Sequence, residues 1–200
     1  MAAYTTIDDP SLFHDTVLTT GTGSQQEIST LNFQPDWIWG KRRDSSGHNS
    51  LFDSVRGVTK GLESNQGGAE FTSTDYYDSF DNDGFTIAAG ASGAGNGSGQ
   101  TAVQWCWKAG TTGSGTTTGS GTGKAYSYSV NTTAGFSIVK YLGNGTAGHT
   151  IPHHLGAAPD FIMVAQLDNT EAWQLYLSPM ATGKFIQMNI DEEFNQSSYN

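Results

Sequence analysis

The sequence predicts an all-β fold, an antiparallel β-sandwich that contains an internal repeat. Three observations point there. Apolar and polar residues alternate with period two in several windows, and none sustains a helical period. The composition is rich in Gly (26 residues) and aromatics (12%), with only nine Lys plus Arg in 200 residues. Aromatic and β-branched side chains suit a pleated, half-buried surface, and Gly supplies the positive φ of tight turns. Finally, Pro35-Asp36-Trp37-Ile38 recurs as Pro159-Asp160-Phe161-Ile162, an offset of 124 residues (159 − 35).

Taken in chain order, strands are expected over Phe13–Thr19, Trp37–Lys41, Leu51–Val55, Phe85–Ala89 and Val103–Lys108. Further strands are expected over Ala125–Val130, Gly135–Tyr141, Phe161–Leu167, Trp173–Leu177 and Phe185–Ile190. In Val103–Lys108 the alternation puts Val103, Trp105 and Trp107 on one face and Gln104, Cys106 and Lys108 on the other. In Ala125–Val130 it puts Tyr126, Tyr128 and Val130 opposite the serines. Both read as half-buried strands with aromatic inner faces. About ten short strands with Gly-marked connections are what two stacked sheets require.

The offset of 124 also aligns Asp44 with Asp168, Leu51 with Leu175, Phe52 with Tyr176, Lys60 with Lys184 and Asn65 with Asn189. Upstream, Leu18–Gly23 matches Lys140–Gly145 after a two-residue gap. Apolar positions are kept while surface identities drift, as in two copies of one fold. The expected organisation is a first repeat over residues 1–110, a Gly/Ser/Thr-rich linker or loop over 111–123, and a second, incomplete repeat over 124–200. The second repeat would complete or extend the sandwich. Ala89–Gly99 reads as a surface loop, because it holds only small residues.

A formal charge of −10 and a single basic cluster, Lys41-Arg42-Arg43, argue against nucleic acid as a partner, since phosphate binding needs clustered cations. That cluster reads as a solvated strand edge. Cys106 is the only cysteine, so neither an intrachain disulfide nor a cysteine zinc site forms. The opening residues have no charged n-region or apolar h-region, and no apolar run has the length of a membrane span. Synthesis in a cytoplasm is therefore expected, with no signal peptide.

Candidate sites are few. Asp75, Asp78, Asp81 and Asp83 crowd a short stretch with Asn82 and Gly84, and hard oxygen ligands in a loop are what calcium needs. Asp81 and Asp83 are the calcium candidates; a turn before the Phe85 strand explains the same residues without metal. No other cofactor is indicated. His149, His153 and His154 fall within six residues, framed by Pro152 and Gly156, and read as loop histidines ahead of a metal site. Tyr76, Tyr77 and Asp78 are the candidate ligand contacts. Trp37, Trp39, Trp105, Trp107 and Trp173 could stack on sugars, with core packing as the default reading.

Catalysis has no visible carrier. Asp191, Glu192 and Glu193 are adjacent, and neighbours on a strand point to opposite faces. The string closest to a nucleophile elbow, Gly90-Ala91-Ser92-Gly93-Ala94, lies in the small-residue loop. The expectation is a protein that is not an enzyme.

Several runs in a consistent order carry a resemblance. They are Tyr4–Pro10, Pro35–Trp39, Phe52–Gly57, Phe80–Phe85, Val103–Gly110, Asn131–Val139, Tyr141–Gly145 and His154–Gly156. Together they resemble a domain of marine tailed-phage proteins, from phages of cyanobacteria and other ocean bacteria. The resemblance implies a lectin-like sandwich, a concanavalin-like jelly roll, in a virion fibre or surface protein. It implies a tail fibre or a head fibre or decoration, with other virion proteins as partners and a homo-oligomer, a trimer in the case of a fibre. The alternatives are a carbohydrate-binding module that recognises host surface glycans and, less favoured, a glycan-degrading enzyme.

Overall fold

A computed structural model describes residues 7–178, 180 and 184–189. The described chain is nearly all β, with antiparallel pairing throughout. The strands are β1 (His14–Thr20), β2 (Gln26–Ile28), β3 (Trp37–Arg42), β4 (Ser50–Asp53), β5 (Lys60–Glu63), β6 (Phe71–Thr72), β7 (Tyr77–Asp81), β8 (Gly84–Ile87) and β9 (Thr101–Trp107). They continue as β10 (Thr111–Thr116), β11 (Thr118–Gly119), β12 (Ala125–Asn131), β13 (Phe136–Tyr141), β14 (His149–Thr150), β15 (Phe161–Val164), β16 (Gln174–Leu177) and β17 (Ile186–Gln187).

Two sheets share the main core. A six-stranded sheet, ordered β1-β9-β3-β4-β5-β6, faces a three-stranded sheet, β2-β8-β7. Ile38, Phe52 and Cys106 from the first meet Tyr77, Phe85 and Ile87 from the second. Leu31 and Phe33, between β2 and β3, close one side. Burying each large side chain contributes about 1.5–3 kcal/mol. The remaining sheets are β10-β12-β13, β11-β14 and β15-β16-β17.

The β9 faces are the reverse of the sequence reading. Ala102, Gln104 and Cys106 point into the core and are fully buried, whereas Trp105 and Trp107 lie half-buried on the outer face. The period is right and the side is wrong, because alternation alone does not say which face is covered. The inner layer opposite β9 already holds Tyr77, Phe85 and Ile87, which leaves room for small side chains. Gln104 is accommodated there because Tyr77 Oη donates to its Oε1 (2.6 Å) and its Nε2 donates to the Ala94 carbonyl (3.0 Å).

The expected linker is also corrected. Thr111–Thr116 is a full strand, paired with β12 from Thr111↔Val130 to Thr116↔Ala125. Gly113 and Gly115 lie opposite Tyr128 and Tyr126, whose rings occupy the space that a Cβ on either glycine would need. An aromatic lying across a cross-strand glycine supplies the packing that the strand's own side chains lack. Ala89–Gly99 is a loop as expected, but a packed one. Ala91, Ala94 and Asn96 are buried, and Asn96 donates to the Ser24 and Ala88 carbonyls while accepting from Thr22 N–H.

The offset of 124 reappears in backbone pairing. β3 and β4 pair as Trp37↔Asp53, Ile38↔Phe52, Trp39↔Leu51 and Gly40↔Ser50. β15 and β16 pair as Phe161↔Leu177, Ile162↔Tyr176, Met163↔Leu175 and Val164↔Gln174. The β15-β16-β17 meander lies on the outer face of the large sheet. There Met163, Ala165, Leu167, Trp173 and Met188 pack with Leu51, Leu62 and Trp37. The strand expected over Phe185–Ile190 is realised as Ile186–Gln187, and Ile190 lies outside the described residues.

Candidate functional site

The outer face of the large sheet carries rows of cross-strand neighbours. One row runs His14, Trp107, Trp37, Asp53; the next runs Thr16, Trp105, Trp39, Leu51. A third begins Leu18, Val103, Lys41. Side chains directly opposite on adjacent strands lie close enough to touch, so four aromatic rings and one imidazole fall into a continuous patch. His14 and Trp107 have ring centroids 4.7 Å apart, and Trp39 and Trp105 6.0 Å apart. Phe136, from β13, stacks on Trp107 at 6.2 Å and meets Trp37 edge-on at 6.1 Å.

Part of this patch is an open hollow of about 460 Å³, lined by Trp39, Lys41, Asn49, Trp105 and Trp107. Its walls are held in place. Trp39 Nε1 donates to Ser64 Oγ (2.9 Å), and Lys41 Nζ donates to the Ser45 and Gly47 carbonyls (3.0 and 2.8 Å), pinning the β3–β4 loop. Asn49 N–H donates to Asn65 Oδ1 (2.8 Å). Among the described residues nothing engages the Asn49 side-chain amide. A mostly aromatic concavity with one amide and one ammonium group resembles the usual makeup of small-ligand sites.

The structure disperses the residues singled out from sequence. Tyr77 is corrected from exposed contact to core: it is 1% exposed, between Phe52 and Phe85. Burial, ahead of Cys106 and Tyr76, holds its phenol well above the usual tyrosine range. Alternation explains the difference, since β7 must turn one of Tyr77 and Asp78 inward and the tyrosine has the apolar area. Tyr76 is half-buried against Phe52 and Phe71, and its phenol is raised by burial first, then by Glu63 and Asp75. Asp78 is exposed and accepts from Gln25 Nε2 (2.7 Å).

Asp81 and Asp83 flank the tight turn joining β7 to β8. Asp81 Oδ2 accepts from Thr86 Oγ1 (2.8 Å), and the Asp83 carbonyl accepts from Leu31 N–H (2.9 Å). The three histidines have separate partners. His149 Nε2 meets Thr117 Oγ1 (2.7 Å), His153 Nδ1 accepts from Leu155 N–H (3.2 Å), and His154 stacks on Tyr128 with centroids 3.8 Å apart. Among the described residues no three His, Cys, Asp or Glu come together to hold a metal ion. Asp191, Glu192 and Glu193 lie outside the described residues. Of the basic cluster, Arg43 is exposed, Arg42 pairs with Asp44 (3.0 Å), and Lys41 lines the hollow.

Sequence reasoning passed over Lys41 and Asn49 as site residues. The signal was present for Lys41, which alternation places on the face of Trp37 and Trp39.

Residues 9–200 match the family model described as Domain of unknown function (DUF7483). The chain belongs to this family. No curated protein and no solved structure matches it. Among the described residues, no helix is long and apolar enough to cross a membrane.

Proposed function

We propose that this family member is a non-catalytic surface protein of a tailed-phage particle, a fibre or decoration, whose β-sandwich contacts carbohydrate through its outer aromatic hollow. The particle assignment rests on the ordered motifs from Pro35–Trp39 to His154–Gly156 and on the repeated, lectin-like organisation that they imply. The carbohydrate assignment rests on one observation: Trp39, Trp105 and Trp107 stand together, half-buried, beside Lys41 and Asn49. Indole faces match the apolar face of a sugar ring, and the amide and ammonium suit its hydroxyls.

The test is titration of the 200-residue chain with a panel of bacterial surface oligosaccharides, read by tryptophan fluorescence. Binding is expected, with Trp39→Ala and Trp105→Ala each weakening it about tenfold or more. Absence of binding across the panel, or binding indifferent to both substitutions, would overturn the carbohydrate reading. Gold-labelled antibody on intact particles tests the particle reading separately, and particles that never label would remove it.

A further inference from the structure

The two meanders agree beyond their strand pairs. Ser54 N–H donates to the Asp36 carbonyl (2.9 Å), and at the same offset Ser178 N–H donates to the Asp160 carbonyl (2.8 Å). Ser64 N–H donates to the Asn49 carbonyl (3.0 Å), and Met188 N–H to the Trp173 carbonyl (3.1 Å). Asn65 Oδ1 accepts from Asn49 N–H (2.8 Å), and Asn189 Oδ1 from Trp173 N–H (2.6 Å). The last pair involves a side chain that no ladder requires.

The environments nevertheless differ on one edge. β3 is flanked by β9 in the register Trp37↔Trp107, Ile38↔Cys106, Trp39↔Trp105 and Gly40↔Gln104. At the end of that pairing Asp36 N–H donates to the Trp107 carbonyl (2.8 Å), and Asp36 Oδ2 accepts from Ala109 N–H (2.8 Å). β15 has only β16 beside it among the described strands. Ile38 is fully buried, whereas Ile162 is 40% exposed, with Phe161 at 52% and Val164 at 37%. Asp36 is buried and Asp160 is exposed. Phe161–Val164 also lacks the lysine, proline or bulge by which edge strands avoid unwanted partners.

We infer that the free edge of β15 accepts an extended segment of a partner polypeptide, added antiparallel as β9 is added to β3. The geometry at β3 specifies the donor's chemistry. Small or amide side chains, as in Gln104 and Cys106, lie on the face of Ile162 and Val164. Aromatic side chains, as in Trp105 and Trp107, lie on the face of Phe161 and Met163. A backbone N–H two residues past the pairing meets the Asp160 carboxylate. Main-chain bonds supply the affinity and the alternating side chains the selectivity. A second copy of this chain is not the donor, because its β9 lies between β1 and β3 and its removal would split the six-stranded sheet.

The probe is a fluorescein-labelled peptide with the sequence of residues 101–110, carrying serine in place of Cys106, added to the full chain. Saturable binding is expected by anisotropy, with hydrogen exchange of the Phe161 and Met163 amides, which point away from β16, slowed at least about tenfold. Backbone N-methylation of the peptide at alternate residues should abolish binding in one phase and spare it in the other, which leaves the protein's own folding untouched. Asp160→Ala, an exposed position, should weaken binding by about tenfold, the share of one charge-assisted bond. No binding, or equal tolerance of both methylation phases, would overturn the inference. So would protection, in the free chain, of the Phe161 and Met163 amides, which point away from β16. Light scattering would then assign the cover to a second copy if dimeric, or to the chain's own remaining residues if monomeric.

Discussion

The buried Tyr77–Gln104 pair gives the sharpest energetic prediction. Gln104 is fully buried and Tyr77 nearly so, joined by the 2.6 Å bond from Oη to Oε1, and Gln104 Nε2 also satisfies the Ala94 carbonyl (3.0 Å). Gln104→Leu keeps roughly the same volume but strands two buried groups, the Tyr77 hydroxyl and the Ala94 carbonyl. Each stranded group costs about 1–3 kcal/mol, so the gross loss is about 2–6 kcal/mol. Removing a buried amide returns about 1–2 kcal/mol, leaving a net cost of about 3 kcal/mol. Tyr77→Phe strands only Oε1 and should cost about 1.5 kcal/mol. In the double variant the hydroxyl and its acceptor are both gone and only the Ala94 carbonyl is unpaired. Its cost, about 1–3 kcal/mol for that carbonyl less the same return of about 1–2 kcal/mol, should be about 1 kcal/mol, well below the sum of the singles. Urea unfolding followed by tryptophan fluorescence gives all three values. Additivity within about 0.5 kcal/mol would refute the coupling and with it the inward placement of Gln104.

Two further predictions follow from buried ionisable groups. Burial, with a smaller contribution from Asp15, pushes the Cys106 thiol from 9.0 up to about 12. The unfolded chain releases that proton first, so the thiol's contribution is full below about pH 9 and is lost as pH rises towards about 12. Cys106→Ala should flatten the fall in unfolding free energy between about pH 9 and about pH 11, and parallel curves for the two proteins would sink the assignment. Arg56 pairs with Asp53 and with Glu70 (3.3 Å) and donates to the Leu51 carbonyl (3.1 Å), with its side chain almost wholly buried. Arg56→Met leaves the Asp53 carboxylate buried and unpaired, a loss of about 3–5 kcal/mol and about 10 °C in Tm. A melting curve within about 2 °C of the parent would show that Asp53 is solvated.

The strands were legible wherever side chains alternate in size. Each expected segment overlaps an observed strand, from His14–Thr20 to Ile186–Gln187. The overlooked strands are of three kinds. β5 (Lys60–Glu63) and β7 (Tyr77–Asp81) are four and five residues long, and their alternation is broken, by Gly61 beside Leu62 in the one and by the register shift between Tyr77 and Ser79 in the other. β2, β6, β11 and β14 are two or three residues long, too short to show a period. β10 is long, but its Thr-Thr-Gly-Ser-Gly-Thr sequence has no large apolar residue, and its packing comes from Tyr126 and Tyr128 on the next strand. The site was legible in residue type and not in position. Trp105 and Trp107 were recognisable as a pair on one face, but only tertiary packing decides that the face is the outer one. Tyr77 shows the converse, a polar-tipped aromatic drawn inward because Gln104 waits there for its hydroxyl.

Asp36 explains why the two copies of the Pro-Asp-aromatic-Ile motif can be alike in sequence and unlike in burial. Its backbone closes the β3–β4 pairing through Ser54 N–H, a local bond that Asp160 reproduces with Ser178. Its carboxylate does something else: it accepts from Ser54 Oγ (2.6 Å), from Ala109 N–H (2.8 Å) and from Ser129 Oγ (3.3 Å). The last two come from beyond β9 and from β12, so the side chain fastens segments distant in sequence onto the start of β3. The motif therefore separates two tasks, a turn closed by the backbone and a docking point offered by the carboxylate. A buried carboxylate without such donors would be costly, and an exposed one is not. Asp160, exposed beside an edge that no described strand covers, would serve the second task for the proposed donor, whereas Asp36 takes its donors from the same chain.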